Sequence, residues 1–83
     1  MRVLCLDDAK KDIYVVFEIC EFGYSESVSG IVLFTTDDIV CCVTDISIGL
    51  YRNLCKQLLV NGFIDLTLYG EVKEYDLENE CIM

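Results

Sequence analysis

Ile31-Val32-Leu33-Phe34-Thr35-Thr36-Asp37-Asp38-Ile39-Val40-Cys41-Cys42-Val43-Thr44 holds two β-branched runs separated only by Asp37-Asp38. So short a connection between strand-forming runs predicts a tight antiparallel hairpin. Directly afterwards the period of the apolar residues changes. Leu50, Tyr51, Leu54, Cys55, Leu58 and Leu59 recur at steps of three and four, which predicts one amphipathic helix over about 46–61. Asp45 or Ser47 suits its N-cap, Asn61-Gly62 suits its C-terminal stop, and Lys56 agrees with the helix dipole.

Upstream, Ile13 to Phe22 reads as a strand with Ile13, Val15, Phe17 and Ile19 on one face. Gly23 to Gly30, bracketed by glycines and carrying three serines, reads as a loop. Residues 13–44 are therefore expected to form a three-stranded meander. Arg2 to Leu6 is a short apolar run suited to a further strand or strand partner. Downstream, Phe63 to Tyr69 alternates strictly, with Ile64, Leu66 and Leu68 on one face, and predicts a strand over 63–69. The sum is a single α+β domain spanning 1–83, with one helix on one face of an antiparallel sheet of four to five strands. The other face, with Tyr14, Val16, Phe22, Phe63 or Tyr69, is left for a partner to cover.

Composition narrows the chemistry. The chain has 83 residues, six Lys/Arg against fifteen Asp/Glu, no His, no Pro, no Trp and six Cys. Without His there is no imidazole acid or base, no Ser-His or Cys-His nucleophile and no His-based zinc site. A net charge of −9 argues against direct contact with nucleic acid and against an electrostatic hold on anionic membranes. No unbroken apolar stretch exceeds five residues, far short of the roughly 20 that span a bilayer. The first residues reach Asp7-Asp8 after only four apolar positions, too few for a signal peptide, so a cytoplasmic setting with reduced thiols is expected. No C-x-x-C occurs, and the cysteines read as small core residues. Val3-Leu4-Cys5-Leu6-Asp7-Asp8 resembles the first strand and acidic pair of receiver domains, but the resemblance covers six residues and the next segment is a strand instead of a helix. No phosphate-binding or nucleophile-elbow motif occurs. The expectation is a protein that is not an enzyme and holds no cofactor or metal.

The most patterned feature comes last. Glu74, Asp76, Glu78 and Glu80 occupy alternate positions, interleaved with Tyr75, Leu77, Asn79 and Cys81. An extended segment would project all four carboxylates from one face at about 6.6–6.8 Å. Such a row offers negative charge at a density coarser than, yet comparable to, a phosphate strand. The competing reading is a solvated edge that blocks sheet-to-sheet pairing, with residues 78–83 fraying under like-charge repulsion. On the first reading the chain is an acidic protein-binding module, an inhibitor or regulator engaging the basic surface of a nucleic-acid-binding protein. Its contacts would be Glu74, Asp76, Glu78 and Glu80, with Tyr75, Tyr69 or Phe22 as apolar anchors. In size and charge it resembles phage anti-defence proteins, anti-CRISPR proteins among them. The alternative is a self-associating structural or regulatory subunit, a homodimer for instance, whose acids only maintain solubility.

Overall fold

The computed structural model describes residues 1–83. The elements run β1 (Arg2–Asp8), β2 (Ile13–Ser25), β3 (Gly30–Thr35), β4 (Val40–Val43), α1 (Ile48–Asn61), β5 (Phe63–Asp65), β6 (Lys73–Asp76) and β7 (Cys81–Ile82). The strands join in one sheet of order β5-β1-β2-β3-β4-β6-β7. All pairings are antiparallel except β5, which lies parallel to β1. The architecture is α+β, with seven strands in a mixed sheet where four to five antiparallel ones were expected.

Each departure has a local cause. The hairpin at Asp37-Asp38 forms, but its connection spans residues 36–39. Thr35, although buried, is satisfied there: its hydroxyl donates to the Ile39 carbonyl at 2.9 Å and accepts from the Ile39 amide at 3.1 Å. Strand β2 continues through Gly23 to Ser25, because Phe22, Gly23, Tyr24 and Ser25 pair with Leu33, Val32, Ile31 and Gly30. The helix begins at Ile48 instead of 46. Ser47 is the N-cap, its hydroxyl accepting from the Leu50 amide at 3.1 Å, and Ile46 is drawn into the core with its amide bonded to Ser29. Gly62, left-handed at φ 69°, ends the helix by donating to the Leu58 carbonyl. The strand expected over 63–69 stops at Asp65, whose carboxylate accepts from the Thr67 amide at 2.8 Å and its hydroxyl at 2.7 Å. That turn lifts residues 67–70 off the sheet edge.

The chain then returns to β1 at a single bridge, Leu6 with Glu71, and the Val72 amide donates to Leu6 at 2.8 Å. Lys73 already pairs with Cys42 of β4. In a flat sheet the positions outside β1 and outside β4 are five strand spacings apart, about 24 Å. The chain from residue 71 to 73 reaches at most about 7 Å. The sheet must therefore curl until the β1 and β4 edges converge on this crossing. The long strand β2 makes the bend. Its first half pairs with β1, its second half with β3, and the register shifts between Ile19 and Glu21.

The main core fills the concave side of this curl: Val3, Cys5, Ile19, Ile31, Leu33, Cys41, Val43, Ile46, Ile64 and Leu66, closed by Leu54 and Leu58 of the helix. A smaller cluster of Val28, Val32, Cys42 and Tyr75 covers part of the convex side. Gly30 sits where β3 leaves its turn against the end of β4. A Cβ there would collide with the Val43 carbonyl oxygen and crowd Thr44 Cα, both backbone atoms that cannot swing aside. Gly30→Ala is expected to lower the urea midpoint by a stability loss of about 1–3 kcal/mol. An unchanged midpoint would show that β3 and β4 can separate there at no cost.

Candidate partner-binding surface

Fifteen carboxylates share the chain with six Lys/Arg, yet no Lys or Arg side chain pairs with any of them. The single ion pair joins the amino terminus to Glu18 at 3.6 Å. Three aspartates are used to build turns. Asp8 accepts from the Lys10 and Lys11 amides at 3.0 and 3.3 Å, Asp65 holds Thr67, and Asp76 accepts from the Glu78 and Asn79 amides at 3.0 and 3.2 Å. The other eleven carboxylates have neither a cation nor a hydrogen-bond donor: Asp7, Asp12, Glu21, Glu26, Asp37, Asp38, Asp45, Glu71, Glu74, Glu78 and Glu80. All are exposed.

The alternating acids do not form a straight row. Glu74 and Asp76 share one face of β6, whereas residues 77–80 turn and Cys81-Ile82 pair back on Asp76 and Tyr75. The Met83 amide donates to the Glu74 carbonyl at 3.0 Å, so the last residues fold back on β6 as a hairpin. Asp76 is the reason. It captures two backbone amides and the Asn79 side-chain amide (2.7 Å), and these bonds, Asn79's first, hold its carboxyl below the usual range. An Asp followed by unbonded amides two and three residues on favours a local turn over an extended strand.

The register of Cys41 with Glu74 and Cys42 with Lys73 sends β6 toward the β3–β4 turn. Asp37 and Asp38 of that turn therefore lie at the same end of the sheet as Glu78 and Glu80. A cleft of about 210 Å³ opens beside the turn, lined by Cys20, Glu21, Phe34, Thr35, Asp38, Ile39 and Val40. A second, of about 250 Å³, lies between β2 and the helix, among Met1, Cys20, Glu21, Phe22, Cys55, Leu58 and Leu59. Both fall below the roughly 300–1,000 Å³ of small-molecule pockets.

The expected aromatic anchors are placed differently from one another. Tyr75 is buried in the convex-side cluster with Val32 and Cys42, so it braces the hairpin from beneath. Tyr69 is half-buried against the main core. Phe22 lines the second cleft and stacks on Tyr51 with ring centroids 5.3 Å apart, while the Tyr51 hydroxyl donates to the Phe22 carbonyl at 3.3 Å. What is open instead is the convex face of β1 and β2, where Leu4 pairs with Val16 and Leu6 with Tyr14. Tyr14 and Val16 are 53% and 55% exposed. Leu4 and Leu6, alternating with buried Val3 and Cys5, were the sequence sign that β1 is apolar on both faces.

The thiols divide by the same curl. Cys5, Cys41 and Cys42 are buried, Cys20 and Cys81 exposed, and none is bridged. Burial, then neighbouring Cys41, Asp65 and Asp7, pushes Cys5 up to about 12, and burial raises Cys41 and Cys42 as well. The Cys55 thiol beside it, then burial, pushes Tyr51 up to about 12. No family model, no curated protein and no solved structure matches this chain. No helix is long and apolar enough to cross a membrane.

Two outcomes follow from these placements. Asp76→Ala is expected to open the terminal hairpin, read as faster amide exchange at Cys81 and Met83 with the main core unchanged; equal exchange would remove Asp76 from that role. Raised thiol and phenol values mean the folded state keeps protons that the unfolded chain releases above its ordinary values near 9 and 10. Stability should thus be level near neutrality and fall as pH rises from 9 toward 12. Urea midpoints from pH 7 to 11 measure this, and a midpoint that rises above pH 9 contradicts it.

Proposed function

We propose that this chain is a small acidic protein-binding module that inhibits or regulates a partner by occupying its basic, nucleic-acid-binding surface. The observation that carries the reading is the set of eleven carboxylates with no intramolecular partner. A folded domain that leaves its acids unneutralised keeps them free to pair with Lys and Arg of another protein, where they replace phosphates. Glu74, Glu78 and Glu80 on the β6–β7 hairpin, with Asp37 and Asp38 on the adjoining turn, form the acidic end of the sheet. Asp76 supports that end and does not reach outward. Shallow clefts in place of a deep pocket favour recognition across a surface, and Phe22 and Tyr69, each only partly buried, are the apolar contacts that keep some exposure. In size and charge the chain also resembles phage anti-defence proteins, anti-CRISPR proteins included, which supports the reading by analogy.

The test replaces the free hairpin acids and spares the structural one. Glu74→Gln/Glu78→Gln/Glu80→Gln should fold as the parent does and capture its basic partner on the order of tenfold more weakly. Capture by the parent should weaken between 0.1 and 1 M salt, as the screening length contracts from about 10 to 3 Å. Duplex DNA or RNA should displace the parent from the same partner. Equal capture by the triple variant, indifferent to salt and to nucleic acid, would reduce the acidic end to a solubility device.

A further inference from the structure

Strand β2 changes partners at Cys20, and the change leaves an opening. Ile19 pairs with Thr35 and Glu21 with Phe34, so Cys20 is an extra residue against β3. An unbroken strand would turn Ile19 and Glu21 to the same side. The bulge prevents it. Ile19 is buried in the main core, Cys20 and Glu21 are both exposed, and Phe22 turns back to pack against that core. The Cys20 thiol donates to the Phe34 carbonyl at 3.3 Å and stays on the sheet, which leaves the Glu21 carboxylate as the free group at this point.

The two clefts meet here, since Cys20 and Glu21 line both. On one side Phe34, Ile39 and Val40 make an apolar wall with Asp38 beside it. On the other, Phe22, Leu58 and Leu59 make a second wall, and Leu59 is 81% exposed although apolar. At about 210 and 250 Å³, each cleft has room for a large side chain and not for a drug-sized molecule. No Lys or Arg lines either one. Glu21 and Asp38 have no ion pair, and the amino terminus of Met1, at the second cleft, is already paired with Glu18 at 3.6 Å.

We propose that this double cleft holds a segment of the basic partner in which a Lys or Arg stands between two apolar side chains. Each apolar side chain fills one cleft, and the cation between them crosses the bulge, where Glu21 and Asp38 receive it. Charge selects this occupant. An acidic segment would bring its carboxylates against two that have no cation of their own. A wholly apolar segment would cover both carboxylates and leave them dry and unpaired. A second copy of the chain, with fifteen Asp/Glu against six Lys/Arg, brings mainly more acid. The inference deepens the reading above and rests on it for the partner's basic character. It adds an apolar contact outside the hairpin, one that gives Leu59 a place to bury.

Capped peptides with a central Arg, a Leu on either side and one, two or three Ala between each Leu and the Arg are the probes. Amide shifts of the protein are followed as each is added. At least one peptide should move Cys20, Glu21, Phe22 and Ile39 to saturation, while Glu78 and Glu80 stay in place. Exchanging both Leu of the peptide for Ser keeps its charge and should weaken binding on the order of tenfold. Exchanging its Arg for Glu should abolish the shifts. On the protein, Glu21→Gln/Asp38→Asn should weaken the Arg peptide about threefold. Asn tolerates the left-handed backbone that Asp38 holds at φ 63°, so the turn is kept. Leu59→Ser, at an exposed helix position, should weaken it by a similar factor. No saturable shift at millimolar peptide overturns the inference, as does equal binding of the Ser or the Glu peptide. Shifts centred on residues 74–80 overturn it too, while leaving the acidic end as the contact. Groove shifts that follow the concentration of the protein alone would assign the clefts to a second copy and equally overturn it.

Discussion

The passage of the chain from Glu71 to Lys73 is the constraint on which the rest of this structure depends. One residue bridges to β1, and two residues later the chain is paired with β4. Covalent reach admits no flat sheet under that condition. Curling turns a face that a single helix would only partly cover into a concave interior that Leu54 and Leu58 can close. The same bend explains the length of β2, which serves two partners in succession, and the register shift near Cys20, where the strand changes from one to the other. It also explains the thiols. Cys5 and Cys41 come from the two strands that the crossing draws together, and both lie in the dry interior.

The curl decides what is left outside. A domain of this size buries too little surface to hide all its apolar residues, and the remainder collects on the convex side. Tyr75, Val28, Val32 and Cys42 cover one part of that side. The part over β1 and β2 stays bare, with an unpaired backbone edge beside it. Charge is distributed in the opposite sense. The aspartates that bond backbone amides sit where the chain turns, and the unpaired carboxylates collect mainly outside the β1–β2 hairpin. Two surfaces with different physics result: one acidic, the other apolar.

The acidic segment shows how a side chain overrides a pattern. Alternation over residues 74–80 reads as a strand, and as far as Asp76 it is one. Beyond it, the Asp76 carboxylate offers a nearby acceptor to two amides, and a turn forms before the alternation can express itself. Asp65 does the same to the strand that begins at Phe63. In both places the aspartate was visible, yet whether its oxygens would face water or backbone depended on how the neighbouring strand ended. Tyr75 follows from this. Once the hairpin folds back and β6 lies on β4, the ring has Cys42 and Val32 beneath it and no longer faces a partner.

Local chemistry in the sequence determined the α+β class, the hairpin at Asp37-Asp38, the helix with Ser47 and Gly62 at its ends, and the exposed apolar pair Tyr14 and Val16. These rest on turn residues, capping groups and periodicity, which act over a few residues and need no knowledge of the rest of the chain. Tertiary structure alone decided the parallel strand β5, the short strands β6 and β7, the curl, the burial of Tyr75 and the free edge of Ile13–Phe17. Each depends on which distant strand arrives alongside, and pairing between remote segments leaves no periodic trace in either one. The charge of −9 belongs to both accounts: composition set its size, and the fold decided which carboxylates stay unpaired.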